Sequence, residues 1–228
     1  MNNDMNVTNA WRGHALKIKQ DANKIILGQE KAINLVIISL FARGHVLLEG
    51  GVGVGKTTLL QVITKLIGGS YERIEGTVDL MPNDIIYHAS ISDDGKPSIS
   101  KGPLLKQGED LSVFFFNEIN RARPQVHSLM LRAMAEKSVS AFNKVMHLPN
   151  MVVFADRNQV EKNETFELPA AARDRFMMEV TIQSPKDKVL RDSIIFDTKF
   201  QDTSKLINDI TSPSFDCNEL NAVSNAIQ

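Results

Sequence analysis

Short apolar runs and amphipathic stretches alternate along the whole chain. The runs around Val46-Leu47-Leu48, Leu111-Ser112-Val113-Phe114-Phe115-Phe116 and Met151-Val152-Val153-Phe154-Ala155 predict strands buried on both faces. Tyr71–Glu75 and Met177–Ile182 predict two more. Between the runs the apolar period becomes helical. Ala15, Leu16, Ile18, Ala22, Ile25 and Ile26 predict a helix over 11–27 that Gly28 ends, with residues 1–10 polar and frayed. Glu30–Ala42 and Thr58–Ile67 predict further helices, as does Gln125–Lys137, which Pro124 opens. Strands separated by helices specify a parallel α/β sandwich.

Two stretches break this rhythm. Ser138–Pro149 alternates apolar and polar residues around Asn143-Lys144, which predicts a hairpin. Residues 77–108 carry Met81-Pro82-Asn83-Asp84, Asp93-Asp94-Gly95 and Lys101-Gly102-Pro103. They predict short helices separated by a turn, inserted between core elements, and a segment of this kind is often functional. Beyond Ser184-Pro185 the pattern is helical and polar.

Composition narrows the classes. A chain of 228 residues with 43% hydrophobic content suits one sizeable domain. The net charge is -1 and both signs are interspersed, without a basic tract, so nucleic acid is not an expected partner. Cys217 is the one cysteine, which excludes an intrachain disulfide and fits a reducing, cytoplasmic compartment. The N-terminus is polar, so no leader is expected. The longest apolar run, over 33–42, is about half of a bilayer span, so no membrane span is expected. The five histidines lack metal-ligand spacing.

The chemistry enters at Gly50–Thr58, GGVGVGKTT, which fits the phosphate-loop pattern G-x-x-x-x-G-K-[ST] through Gly50, Gly55, Lys56 and Thr57. Glycines let the backbone curl around a phosphate chain, and the curled amides and helix N-terminus then face anionic oxygens. Lys56 is expected between the β- and γ-phosphates, and the Thr57 hydroxyl on Mg²⁺. Hydrolysis needs a carboxylate near the metal and a group that aims water. A strand ending in acidic residues supplies both, and here Leu111–Phe116 ends in Asn117-Glu118. Glu118 stands where the water-activating carboxylate belongs, and Asn117 where an aspartate would support the metal.

Six stretches, LGQEKAI, GHVLLEGGVGVGKT, RIEGTVDLMPNDI, KGPL, FFFNEINRARPQVHSLMLRAMAE and ADRNQVEKNETFELPAAARDRF, appear in the order and with close to the spacing of a known family. On these the chain resembles the MoxR family of AAA+ ATPases over about residues 25–185. The resemblance implies a three-layer αβα sandwich with a five-stranded parallel sheet. It implies an N-terminal helical segment over 1–27, a nucleotide-binding core over 28–185 and the start of an incomplete helical lid over 186–228. Residues 79–104 would be the family's helix 2 insert and 138–149 its pre-sensor hairpin, both facing the pore of a ring.

The resemblance also implies roles. ATP and Mg²⁺ would be held by Gly50, Gly51, Gly53, Val54, Gly55, Lys56, Thr57 and Thr58, with Gly28 among the residues of 26–29 that line the adenine pocket. Thr57 and Asn117 would serve the metal. Glu118, the sensor residue Asn158 and an arginine finger would be catalytic. Arg175 matches the finger, and Arg173 is its nearest rival. The implied function is chaperone-like: a homo-oligomeric ring, expected to be a hexamer, that uses ATP to remodel or mature a protein client, often with a von Willebrand factor A-domain partner.

Three departures qualify this. Asn117 replaces an aspartate, and the lost charge lowers Mg·ATP stabilisation by about 1–2 kcal/mol, or about tenfold. Ala155-Asp156-Arg157-Asn158-Gln159 stands where the family usually has Ala-Thr-Gln-Asn-Pro. The stretch after Pro185 is short and Arg191 is its last arginine, so a complete lid with a sensor 2 arginine is not expected. An ATP-binding switch or scaffold with weak hydrolysis is the competing expectation. A small-molecule kinase would leave Glu118, Asn158 and Arg175 without purpose, and a DNA motor would want basic patches.

Overall fold

Five parallel strands form the central sheet of the computed structural model, which describes residues 2–91, 94–157, 166–200 and 202–220. They are β1 (His45–Glu49), β2 (Ser70–Glu75), β5 (Leu111–Asn117), β8 (Val152–Arg157) and β9 (Phe176–Thr181), in the order β2-β5-β8-β1-β9. The two central runs are the most apolar. Phe114, Phe115, Phe116 and Phe154 are fully buried. Each stabilises the fold by about 1.5–3 kcal/mol relative to an exposed side chain.

Strand alternation divides the core between two faces. Val46, Phe115, Phe154 and Val180 pack against α1 (Asn2–Asn23), α2 (Glu30–Phe41) and α3 (Lys56–Leu66) through Ile18, Ile33 and Leu60. Leu47, Phe114, Phe116 and Val153 pack against α4 (Pro82–Ile86), α5 (Pro103–Lys106) and α6 (Pro124–Glu136) through Ile85, Leu104 and Met130. The three-layer α/β sandwich follows directly from these two apolar stripes.

Three expectations are corrected. Helix α1 starts at Asn2, not at Trp11, so the helix extends over the polar segment that precedes the apolar pattern. The insert carries two short helices as expected, α4 and α5, but what separates them is not a simple turn: it is an antiparallel hairpin of β3 (Tyr87–Ile91) and β4 (Pro97–Lys101). Both strands lie mostly in solvent, so they lack the apolar alternation that marks a half-buried hairpin. The segment after Pro185 is not uniformly polar. Beyond α8 (Lys188–Phe196) and α9 (Thr203–Asn208), Phe215 returns to the first core and meets Trp11 edge to face at 5.7 Å.

The second hairpin, β6 (Ser138–Ala141) and β7 (Lys144–His147), forms as expected. A short helix, α7 (Ala170–Arg173), leads into β9. Among the described residues no helix is long and apolar enough to cross a membrane.

Candidate nucleotide site at the ends of the central strands

The loop after β1 turns sharply because its glycines permit it. Gly53 and Gly55 take left-handed φ angles of 77° and 89°, and Gly55 caps α3 in that conformation. A side chain at Gly50 would come within 2.4 Å of the Ile182 carbonyl, so only glycine lets the loop pass the end of β9. The N-terminus of the eleven-residue α3 then faces the cleft, where its free amides and dipole favour anions.

Lys56 is buried at this junction. Its ammonium donates to the carbonyls of Gly50 (2.7 Å) and Gly51 (3.0 Å) and pairs with the Asp156 carboxylate at 2.8 Å. A cleft of about 280 Å³ opens over it, lined by Gly51–Thr58, Arg73, Asn117, Glu118 and Asp156. Glu118 follows β5 with a left-handed φ of 52°, a costly backbone for a glutamate and one that marks functional turns. Its backbone N–H donates to Asp156, and its carboxylate accepts from Arg121 at 3.0 Å. Asn117 donates its amide to Glu75, which also accepts from Arg73 at 2.5 Å.

Burial pushes the Asp156 carboxyl up from the usual aspartate range, against the hydrogen bonds from Lys56 and Glu118. One residue on, Arg157 ties three strands together. It donates to Glu49 of β1 at 2.5 Å and to Glu179 of β9 at 2.6 Å.

A second cleft of about 360 Å³ shares Gly53, Val54, Gly55 and Thr58 with the first. Ile25, Ile26, Leu27 and Gln29 form one wall; Pro185, Arg191, Ile194, Ile195 and Phe200 form the other. This apolar slot beside an anion-binding loop has the shape and chemistry for a base and sugar. Gly28 lies in the turn behind it, where an added Cβ would sit 2.8 Å from Pro185.

The fold thus brings Lys56, Thr57, Asn117 and Glu118 to one cleft. Asn158 lies outside the described residues. Arg175 and Arg173 are exposed at the start of β9, where Phe176 is level with His45. That is the opposite end of the sheet from Gly50, too far to reach the chain's own phosphate loop. Sequence reading left Arg73, Arg121 and Arg191 without a role. It noted Asp156 only as a departure from a motif, although a lone carboxylate ending an apolar strand is itself a signal.

A parallel sandwich with a phosphate loop, a buried lysine and a carboxylate at the next strand's end defines a P-loop nucleotide-binding protein. A model of the ATPase family associated with various cellular activities (AAA) matches residues 45–178. Protein MoxR of Methylorubrum extorquens is 55% identical over 96% of the chain, and Protein MoxR of Paracoccus denitrificans 50% identical over 99%. Chaperone MoxR1 of Mycobacterium tuberculosis is 33% identical over 76% of the chain and 45% of its own length. A crystal structure of a candidate ATPase from Cytophaga hutchinsonii superposes with a TM-score of 0.76 at 26% identity, covering 97% of this chain and 66% of that one. The chain belongs to the AAA family of ATPases, among its MoxR proteins. It spans 64% and 66% of the length of the first two relatives.

Proposed function

We propose that the chain binds Mg·ATP across the two clefts and hydrolyses it at a site completed by a neighbouring copy. The observation that carries this reading is the convergence of Lys56, Thr57 and Glu118 on one cleft beside an apolar slot. The residues present fit the nucleotide and the metal. The loop's glycines leave room for phosphate oxygens, and Lys56 and the α3 N-terminus favour their charge. Thr57 and Asn117 offer oxygens to a hard cation. Among the described residues no cluster of His, Cys, Asp or Glu would hold a metal alone, which suits an ion carried largely by phosphates. Bound Mg²⁺ would neutralise charge on the phosphates.

Glu118 then acts as the base that orients and deprotonates the attacking water. Asn158 reads the γ-phosphate. Arg175, with Arg173 as the rival, reaches the site of the adjacent subunit, a reading that its distance from its own loop supports. The ring so formed, a hexamer by analogy with the family, drives chaperone-like remodelling of a protein client in the cytoplasm, with a von Willebrand factor A-domain partner. The name of one relative, Chaperone MoxR1, supports the chaperone-like role.

ATP turnover measured against protein concentration tests it. Specific activity is expected to climb as rings form, and Arg175→Ala to abolish the climb. Glu118→Gln is expected to retain ATP and lose turnover. Concentration-independent turnover overturns the shared site. ATP binding without turnover at any concentration favours a nucleotide-gated switch, the reading that Asn117 motivates.

A further inference from the structure

We propose that Asp156 supplies the negative charge for the Mg²⁺ of this site that Asn117 lacks, so that the metal-supporting carboxylate is displaced by one strand rather than lost. The inference rests on the reading of the cleft as a Mg·nucleotide site.

The argument is one of register. Strands β5 and β8 are parallel neighbours with Phe116 level with Ala155, so Asn117 and Asp156 follow at the next level. Alternation sends both to the α3 face, the side of Phe115 and Phe154. Adjacent strands are about 4.8 Å apart, so a carboxylate there stands within a side chain's length of the one absent from β5. Asp156 and Asn117 both line the cleft that Lys56 and Thr57 enclose.

The environment of Asp156 makes the charge matter. Its side chain is 1% exposed, and a buried carboxylate is costly unless it is compensated. Its donors, the Lys56 ammonium and the Glu118 N–H, both belong to the nucleotide machinery. Phosphates that attract Lys56 weaken that compensation. A divalent cation restores it, which couples metal affinity to this side chain. Glu75, the other carboxylate beside Asn117, is half exposed and engaged by Arg73, so solvent screens it. Asp156 acts through the metal and through Lys56 and is a positioning residue, not the base. The tenfold deficit expected from Asn117 is therefore largely offset.

The test is the ratio of affinities for ADP and a non-hydrolysable ATP analogue measured in EDTA and in Mg²⁺, with a thermal melt of each variant. Asp156→Asn is expected to cut the ratio of affinity in Mg²⁺ to affinity in EDTA about tenfold. Asn117→Asp is expected to add less than about threefold to the gain in the wild-type background and to restore it in Asp156→Asn. The proposal is overturned if Asp156→Asn keeps the gain, or if it weakens binding equally with and without metal. Loss of the gain in Glu75→Gln but not in Asp156→Asn also overturns it. If Asp156→Asn fails to fold, Asn117→Asp alone decides, because a tenfold rise in the gain shows that the charge was missing. A wild-type chain that binds neither nucleotide under any condition defeats the functional reading instead.

Discussion

Gly76 lies directly against the backbone of Glu118: a methyl group on Gly76 would come within 2.1 Å of the Glu118 carbonyl oxygen. The Gly76 N–H also donates to the Asn117 carbonyl at 2.7 Å. The end of β2 thus clamps the turn that presents the proposed base. Gly76→Ala is expected to displace Glu118 while the phosphate loop stays intact. Turnover should fall at least about tenfold, since small misplacements of a reacting group cost that much. Nucleotide affinity should stay within about threefold. Parallel turnover and binding measurements check this, and equal loss of both would place the damage in the loop.

His45 sits beneath the sheet at the other end of β1 and is buried. Its Nδ1 accepts the Val153 N–H at 2.9 Å, so the neutral ring carries its proton on Nε2, which faces the Met134 carbonyl at 3.3 Å. Burial, and then the Lys137 charge, lower its pKa from 6.5 to about 4. The folded protein therefore binds a proton less readily than the unfolded chain. This contribution to stability is fully present above about pH 6.5 and is lost as pH falls toward about 4. It amounts to about 3 kcal/mol at most. Urea melts from pH 7.5 to 4 are expected to show that loss, and His45→Gln to flatten it.

Arg157 bridges two carboxylates, Glu49 and Glu179, that would otherwise repel. Glu49, then burial, pushes the Glu179 carboxyl above the usual range even with the arginine present. In Arg157→Gln both acids are expected to titrate higher in the folded state. A raised acid stabilises the fold at low pH and loses that contribution as pH rises through its folded pKa. The variant should therefore be about 1–2 kcal/mol less stable than wild type at pH 7 and closer to it at pH 4. Denaturant melts at the two pH values decide, and a deficit independent of pH would leave packing alone as the cause.

The two hairpins touch through Tyr87 and Phe142, whose ring centroids are 5.3 Å apart. Phe142 and Asn143 both take left-handed φ angles, 53° and 58°, as the two-residue turn between β6 and β7 demands. A phenylalanine is a poor choice for that backbone, so the contact accounts for its presence. Phe142→Gly is expected to change stability by less than about 1 kcal/mol, because relief of the turn offsets loss of the aromatic pair. Amide exchange across β3 and β4 should nevertheless quicken. Unchanged exchange there would show the hairpins to be independent.

The sheet was legible where burial is two-sided. Leu111–Phe116 and Val152–Ala155 admit no other element, and the phosphate loop is legible because its glycines and lysine are themselves the chemistry. The β3–β4 hairpin was not, because both faces of it meet solvent and no pattern of burial distinguishes it. Phe215 was not, because one aromatic among polar residues docks a segment without marking it. The pairing of Asp156 with Lys56 depends on strand register and on where α3 begins, neither of which local pattern specifies. The roles of Arg73 and Arg121 are hidden for the same reason.

Arg175 stands at one end of β9 and Gly50 beyond the other end of its neighbour β1. On the shared-site reading, each copy carries two half-sites that never meet each other. Two inactive proteins, one bearing Arg175→Ala and the other Glu118→Gln, should then regain activity on mixing. Every interface that joins the intact Glu118 of the first to the intact Arg175 of the second is whole. The sheet's length would thereby make ATP hydrolysis a property of the contact between subunits, inherited by neither alone.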